Sequence, residues 1–145
     1  MAKFNSEIPY DLLKQIGDLS GGGADKMIDE MLNEAGSYVE GEIRSNAARV
    51  FRKPGRVLRG LFMTKVYKTE KDDAKNVKVG FSGYMPGSPK TKRYPKGTPT
   101  ALVAMAREYG TSRGEAKRPF VRTAFKKSKI TQIMQNVQKK YIPED

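Results

Sequence analysis

The sequence predicts an α+β domain: a long helix in the N-terminal half and a C-terminal helix packed on a small antiparallel β-sheet, with a long Gly/Pro-rich loop. Three observations carry that expectation. An apolar stripe at helical spacing runs from Ala24 to about Phe51. Two segments of alternating side chains, Leu61–Thr69 and Asn76–Ser82, flank a charged turn and pair as a β-hairpin. Between the hairpin and the C-terminal helix, Gly83–Thr100 holds four prolines and three glycines, too many for regular structure. With 145 residues the chain, 1–145, is read as a single domain.

In chain order, residues 5–19 form a short amphipathic helix. Asn5 or Ser6 caps it, Ile8, Leu12, Leu13 and Ile16 share a face, and Gly17 ends it. Gly21–Gly23 is a flexible break and not a phosphate loop, because no Gly-Lys-Ser/Thr follows. The stripe of the long helix is Ile28, Met31, Leu32, Ala35, Val39, Ile43, Ala47 and Val50. Gly36 and Gly41 interrupt it, each costing about 1 kcal/mol relative to alanine, which implies close approach of another backbone or a bend. Asp25, Asp29, Glu30 and Glu34 early, with Arg44 and Arg49 late, suit the helix dipole. Arg52–Gly55 breaks the helix, and Arg56–Arg59 makes a short turn or helical piece before the hairpin. Pro99–Gly110 reads as a short Pro-initiated helix, or else as a strand adding a third member to the sheet. Pro119 then opens the last helix, with Val121, Ala124, Phe125, Ser128, Ile130, Ile133, Met134, Val137 and Tyr141 along one face. No internal repeat is present.

Composition narrows the function. The apolar share is 37% and the charged share 30%, giving a thin core under a large polar surface. Absence of cysteine and histidine removes the commonest nucleophiles, bases and zinc ligands, so no enzyme, metal or cofactor is expected. Asp72–Asp73 is best explained as a solvated hairpin turn, and Glu108 as the centre of ion pairs with Arg107, Arg113 and Arg118. No apolar run is long enough for a membrane span. The N-terminus lacks the apolar core of a signal peptide, which predicts a protein made and used in a cytoplasm.

The net charge of +12 is unevenly spread. Residues 1–43 carry three Lys against nine acids, net −6, and residues 44–145 carry 25 Lys and Arg against seven acids, net +18. Such segments attract each other, and the basic one attracts phosphate. Candidate contact residues are Lys90, Lys92, Arg93 and Lys96 in the long loop, interleaved with Tyr84 and Tyr94. Arg113, Lys117 and Arg118 follow in the next loop, then Arg122 and Lys126 at the start of the last helix. Their partner is the acidic segment of a neighbouring subunit or a nucleic acid, and the long loop is expected to order on that contact.

Glu108-Tyr109-Gly110-Thr111, a short basic loop, then Pro119-Phe120-Val121-Arg122-Thr123-Ala124-Phe125 resembles a known signature. It is that of the neck or tail-completion proteins of long-tailed bacteriophages, which join the DNA-filled head to the tail. Thr123 departs from the pattern, standing where that family often has a second proline. Chain length, the acidic N-terminal helix and the glycine-rich middle are similar to the family too, so the resemblance covers most of the chain. It implies a non-catalytic virion protein, assembled in the host cytoplasm as an oligomeric ring. Its partners would be the head connector or closure on one side and the tail terminator or tail tube on the other, with possible non-specific contact to genomic DNA. Phe120, Ala124 and Phe125 would then be buried, anchoring the last helix near Val39 and Ile43. The alternative is a stand-alone basic nucleic-acid-binding protein.

Overall fold

The computed structural model describes residues 3–4, 23–71 and 74–142. The expected helix at 5–19, most of the Gly21–Gly23 break and Asp72–Asp73 lie outside the described residues. The elements in order are β1 (Lys3–Phe4), α1 (Gly23–Val50), α2 (Pro54–Leu58), β2 (Leu61–Met63), β3 (Tyr67–Lys68), β4 (Lys75–Phe81), α3 (Thr100–Tyr109), a 3-10 turn (Arg122–Ala124) and α4 (Lys127–Tyr141). This is the α+β architecture expected.

α1 forms where the stripe placed it. Met27, Met31, Leu32, Ala35, Val39, Ile43 and Ala47 are buried, and Ile28 and Val50 are half-buried at its margins. The helix lies between the sheet and α4. Gly36 faces the sheet so closely that a Cβ there would sit 2.9 Å from both Met63 Sδ and Val77 Cγ1. The close approach is thus to side chains of the sheet. Gly41 is exposed with open space around it, so it serves no such approach.

β4 is the central strand. β2 and β3 pair with it antiparallel on one side, and β1 pairs antiparallel on the other through Lys3↔Lys78 and Phe4↔Val77. The hairpin therefore exists as expected, but its first strand is split. Met63 is opposite Val79, whereas Tyr67 is opposite Asn76, so four steps on one strand match three on the other. That is a bulge, and Thr64 spans it. Its N–H donates to Lys78 O at 2.9 Å, and its hydroxyl accepts the Lys78 N–H at 2.9 Å. Val77, Val79 and Phe81 are all buried. The third strand is β1 and not the Pro99–Gly110 segment, which is helical.

The C-terminal region departs most from expectation. Pro119 opens only a 3-10 turn; the chain leaves helical geometry at Phe125 (φ −85°, ψ 69°) and Lys126 (φ −81°, ψ 101°), and α4 begins at Lys127. The reason is phase. Phe120 and Ala124 share one side, whereas Ile130, Met134 and Val137 would fall about a quarter turn away on a continuous helix of 3.6 residues per turn. Breaking at Phe125–Lys126 lets both sets reach the core.

α4 runs antiparallel to α1 and is clasped at both ends. Lys126 Nζ lies 3.1 Å from Glu42, while Lys140 Nζ lies 3.0 Å from Glu30 and 3.9 Å from Glu34. Tyr141 OH donates to Glu30 at 2.6 Å. That hydrogen bond, with the one from Lys140, holds the Glu30 carboxyl below its ordinary range; the same carboxylate raises Lys140 and Tyr141.

Candidate interaction surface

The resemblance motif folds around one carboxylate. α3 starts after Pro99 and buries Thr100, Ala104 and Glu108, one per turn. Glu108 is only 4% exposed, yet both its oxygens are satisfied. Oε2 accepts the backbone N–H groups of Phe120 (2.8 Å) and Val121 (2.9 Å), and Oε1 accepts that of Arg122 (2.9 Å). Val121 and Arg122 head the 3-10 turn, whose first N–H groups have no internal partners, and Phe120 directly precedes it. Glu108 therefore caps, from another helix, the turn that Pro119 begins. The expected ion pairs with Arg107, Arg113 and Arg118 are not formed. The backbone out-competes them, and the nearest cation is Arg122 Nε at 3.7 Å.

The remaining motif residues close the loop between these helices. Gly110 has φ 79°, and a Cβ there would stand 2.8 Å from Glu115 O, so only glycine fits without rearrangement. Thr111 donates its N–H to Glu115 O (3.2 Å), and its hydroxyl accepts the Glu115 N–H (3.3 Å). Arg118 N–H returns to Arg107 O at 2.7 Å, occupying a carbonyl at the end of α3. Phe120 is fully buried, edge-on to Phe51 at 5.1 Å between ring centroids and 5.9 Å from Phe81. Asn46 of α1 donates to Phe120 O (3.1 Å) and to Thr123 Oγ1 (3.2 Å). Thr123, the departure from the family pattern, thus supplies an acceptor that proline could not. Ala124 is fully buried, but Phe125 is only half-buried. Phe120 packs at the C-terminal end of α1, by Asn46 and Phe51, within the same core as Val39 and Ile43.

Turned outward on α3 is a feature the sequence reading missed. Leu102 (42% exposed), Met105 (46%) and Tyr109 (66%) lie at i, i+3 and i+7, a stripe along the face opposite Ala104 and Glu108. The sequence pointed the other way, because an acid such as Glu108 ordinarily marks the solvent face of a helix and large apolar residues its buried one.

The candidate cations separate into two groups. Lys126 and Arg122 already have acids within this chain, Glu42 and Glu108. Lys90, Lys92, Arg93, Lys96, Arg113, Lys117 and Arg118 are exposed, and none has an acidic partner among the described residues. They occupy the loops at either end of α3. The long loop makes a set of hydrogen bonds of its own. Tyr84 bridges Pro99, Met85 N–H donates to Thr98 O (2.8 Å), and Ser88 Oγ donates to Met85 O (2.8 Å) while accepting Thr98 N–H (2.9 Å). Arg56 ties it to α2 through Pro86 O. The Arg93 guanidinium lies 5.6 Å from the Tyr94 ring.

Comparison with protein-family models, curated proteins and solved structures finds no match to this chain. What the surface can do therefore follows from its own chemistry. Among the described residues no group of three or more acids could hold a metal ion, and no helix is long and apolar enough to cross a membrane. An open groove of about 380 Å³ is lined by Asn33, Glu34, Ser37 and Ile133, and Glu34 there is already paired with Lys140. The prominent outward features are an apolar stripe on a rigidly backed helix and a loop rich in cations at each end of it.

Proposed function

We propose that this protein is a non-catalytic structural component of the neck of a tailed phage or prophage, one subunit of a ring between head connector and tail. The stripe of Leu102, Met105 and Tyr109 carries the reading. Large apolar side chains aligned on one face of a helix whose other side is fixed by Glu108 suit a permanent subunit contact better than solvent. The resemblance of the Glu-Tyr-Gly-Thr and Pro-Phe-Val-Arg-Thr-Ala-Phe segments to neck and tail-completion proteins supplies the identity of the assembly. Its other members would be a head connector or closure protein and a tail terminator or tail tube, and its location the virion.

The contact between subunits is apolar on this reading, and not the acid–base docking that the charge halves first indicate. All six acids of α1 are occupied within the chain: Asp25 and Asp29 by Lys75, Glu30 and Glu34 by Lys140, Glu40 by Arg44 and Glu42 by Lys126. A stand-alone basic nucleic-acid-binding protein is the second reading, favoured by the cations without partners. Mass measurement of the purified protein, alone and with connector and tail extracts, separates the two. A ring built on apolar contacts keeps its mass at about 1 M salt, where charge interactions are screened within roughly 3 Å, and Leu102→Ser with Met105→Ser dissolves it. A monomer under every condition, joining neither extract, refutes the ring.

A further inference from the structure

We propose that the loops at the two ends of α3, Lys90–Lys96 and Arg113–Arg118, form a phosphate-binding surface for duplex DNA, read without regard to sequence. This deepens the ring reading but does not depend on it, because the contact belongs to the single chain.

The argument is one of charge sorting. Of the nine described acids, six are held in the ion pairs of α1 and Glu108 is buried under three backbone N–H groups. Only Glu70 and Glu115 remain outside. Residues 83–118 carry eight Lys and Arg against Glu108 and Glu115, net +6, and seven of those cations are exposed with no acid beside them among the described residues. The eighth, Arg107, lies 5.6 Å from the Phe51 ring. Among the described residues another copy of this chain offers these loops only Glu70 and Glu115, which favours an anion from a different molecule.

Its form follows from the layout. α3 has 10 residues, so the loops are attached about 15 Å apart at a rise of roughly 1.5 Å per residue. Both clusters are exposed on loops set this far apart, a span too wide for a single small anion and suited to a chain of them. Phosphates along duplex DNA recur about every 1.7 Å of axis, counting both strands, and supply such a chain. Base readout needs a polar element that enters a groove. The helix between these loops presents Leu102, Met105 and Tyr109 instead, so contacts to the backbone carry the binding.

The test is a salt titration of binding between the full-length protein and a fluorescent 30-base-pair duplex of arbitrary sequence. One variant combines Lys90→Gln, Lys92→Gln, Arg93→Gln and Lys96→Gln; a second combines Arg113→Gln, Lys117→Gln and Arg118→Gln. Each is compared with the parent at matched oligomeric state and matched melting temperature. Each lost phosphate contact flattens the slope of log K against log salt by about 0.9. Four contacts therefore make the parent lose on the order of a hundredfold more affinity than the first variant between 50 and 200 mM salt. A second duplex with a different sequence should bind equally. The proposal is overturned if the parent does not bind at 50 mM salt, or if either variant keeps the parental slope. It is overturned as well if poly-glutamate of equal charge displaces the duplex as well as unlabelled duplex does, which would make the partner an acidic protein. Loss of the ring in the Leu102/Met105 variant with the salt slope intact would separate the two surfaces.

Discussion

Replacing Glu108 tests whether a single buried carboxylate organises the motif. In Glu108→Ala the N–H groups of Phe120, Val121 and Arg122 lose acceptors at 2.8, 2.9 and 2.9 Å, the first two in buried surroundings. A buried donor left unsatisfied costs about 1–3 kcal/mol. Two such donors, with partial relief from water entering the space, give an expected loss of about 2–5 kcal/mol, a large share of the roughly 5–15 kcal/mol a domain possesses. Glu108→Gln retains one acceptor oxygen and turns an amide N–H₂ toward a donor, so about 1–3 kcal/mol is expected. Urea denaturation followed by circular dichroism measures both. Arg122→Ala is the discriminating control. At 3.7 Å and 57% side-chain exposure the pair is a weak surface contact, so its removal should cost less than about 1 kcal/mol. If Glu108→Ala cost under about 1 kcal/mol, or no more than Arg122→Ala, the capping argument would fail.

Three further outcomes follow from packing and charge. Phe120→Ala should lose about 3–5 kcal/mol by denaturant titration, and Phe125→Ala distinctly less, because only Phe120 is fully buried; equal losses would contradict the burial. Gly41→Ala should stabilise by up to about 1 kcal/mol through helix propensity, whereas Gly36→Ala should destabilise because its Cβ would press on Val77 and Met63 at 2.9 Å; the same sign at both sites would count against the sheet contact. The α1–α4 clasp should weaken from both ends of the pH scale. Glu30 is depressed by Tyr141 and Lys140, so its contribution is present above the ordinary value of 4.5 and fades as pH falls through the lower folded value. Lys140 and Tyr141 are raised by Glu30, so theirs fades as pH rises past 10.5 and 10.0 respectively. Melting temperatures of Glu30→Gln should show neither effect at this site, and an unchanged acid limb in that variant would place the titration elsewhere.

How much of this was legible depended on whether the deciding contact was local. α1 and the hairpin were readable because their periodicity lies within one segment, and α3 because alanine and leucine outweigh its single valine, although a strand stayed open as the alternative. β1 was not, since two residues carry no period and their pairing to Val77 and Lys78 is made across the chain. The start of α4 was misread for a related reason. Pro119 is a sound local start signal, but whether a helix continues depends on the phase that Phe120 must adopt toward Phe51 and Phe81. The order of the long loop rests on Ser88 and Thr91 bonding to backbone ten and three residues away, which composition alone does not show. Glu108 was assigned to arginines because they are its sequence neighbours, yet its partners lie 12 to 14 residues on.

The same distinction decides what the charges mean. Counted along the chain, an acidic and a basic half look made for docking between subunits. Once α4 lies antiparallel to α1, Lys126 and Lys140 fall opposite Glu42 and Glu30, and the sheet brings Lys75 to Asp25 and Asp29. The acids of α1 are thereby occupied inside the fold, while the loops at the ends of α3 keep seven exposed cations with no acid beside them among the described residues. Reversing Asp29 and Glu30 to lysine should accordingly unfold or loosen this domain, instead of rescuing a partner that carries Arg118→Glu and Arg122→Glu. A double-reversal rescue of assembly, with the parental melting temperature retained, would show that those acids face a neighbour after all.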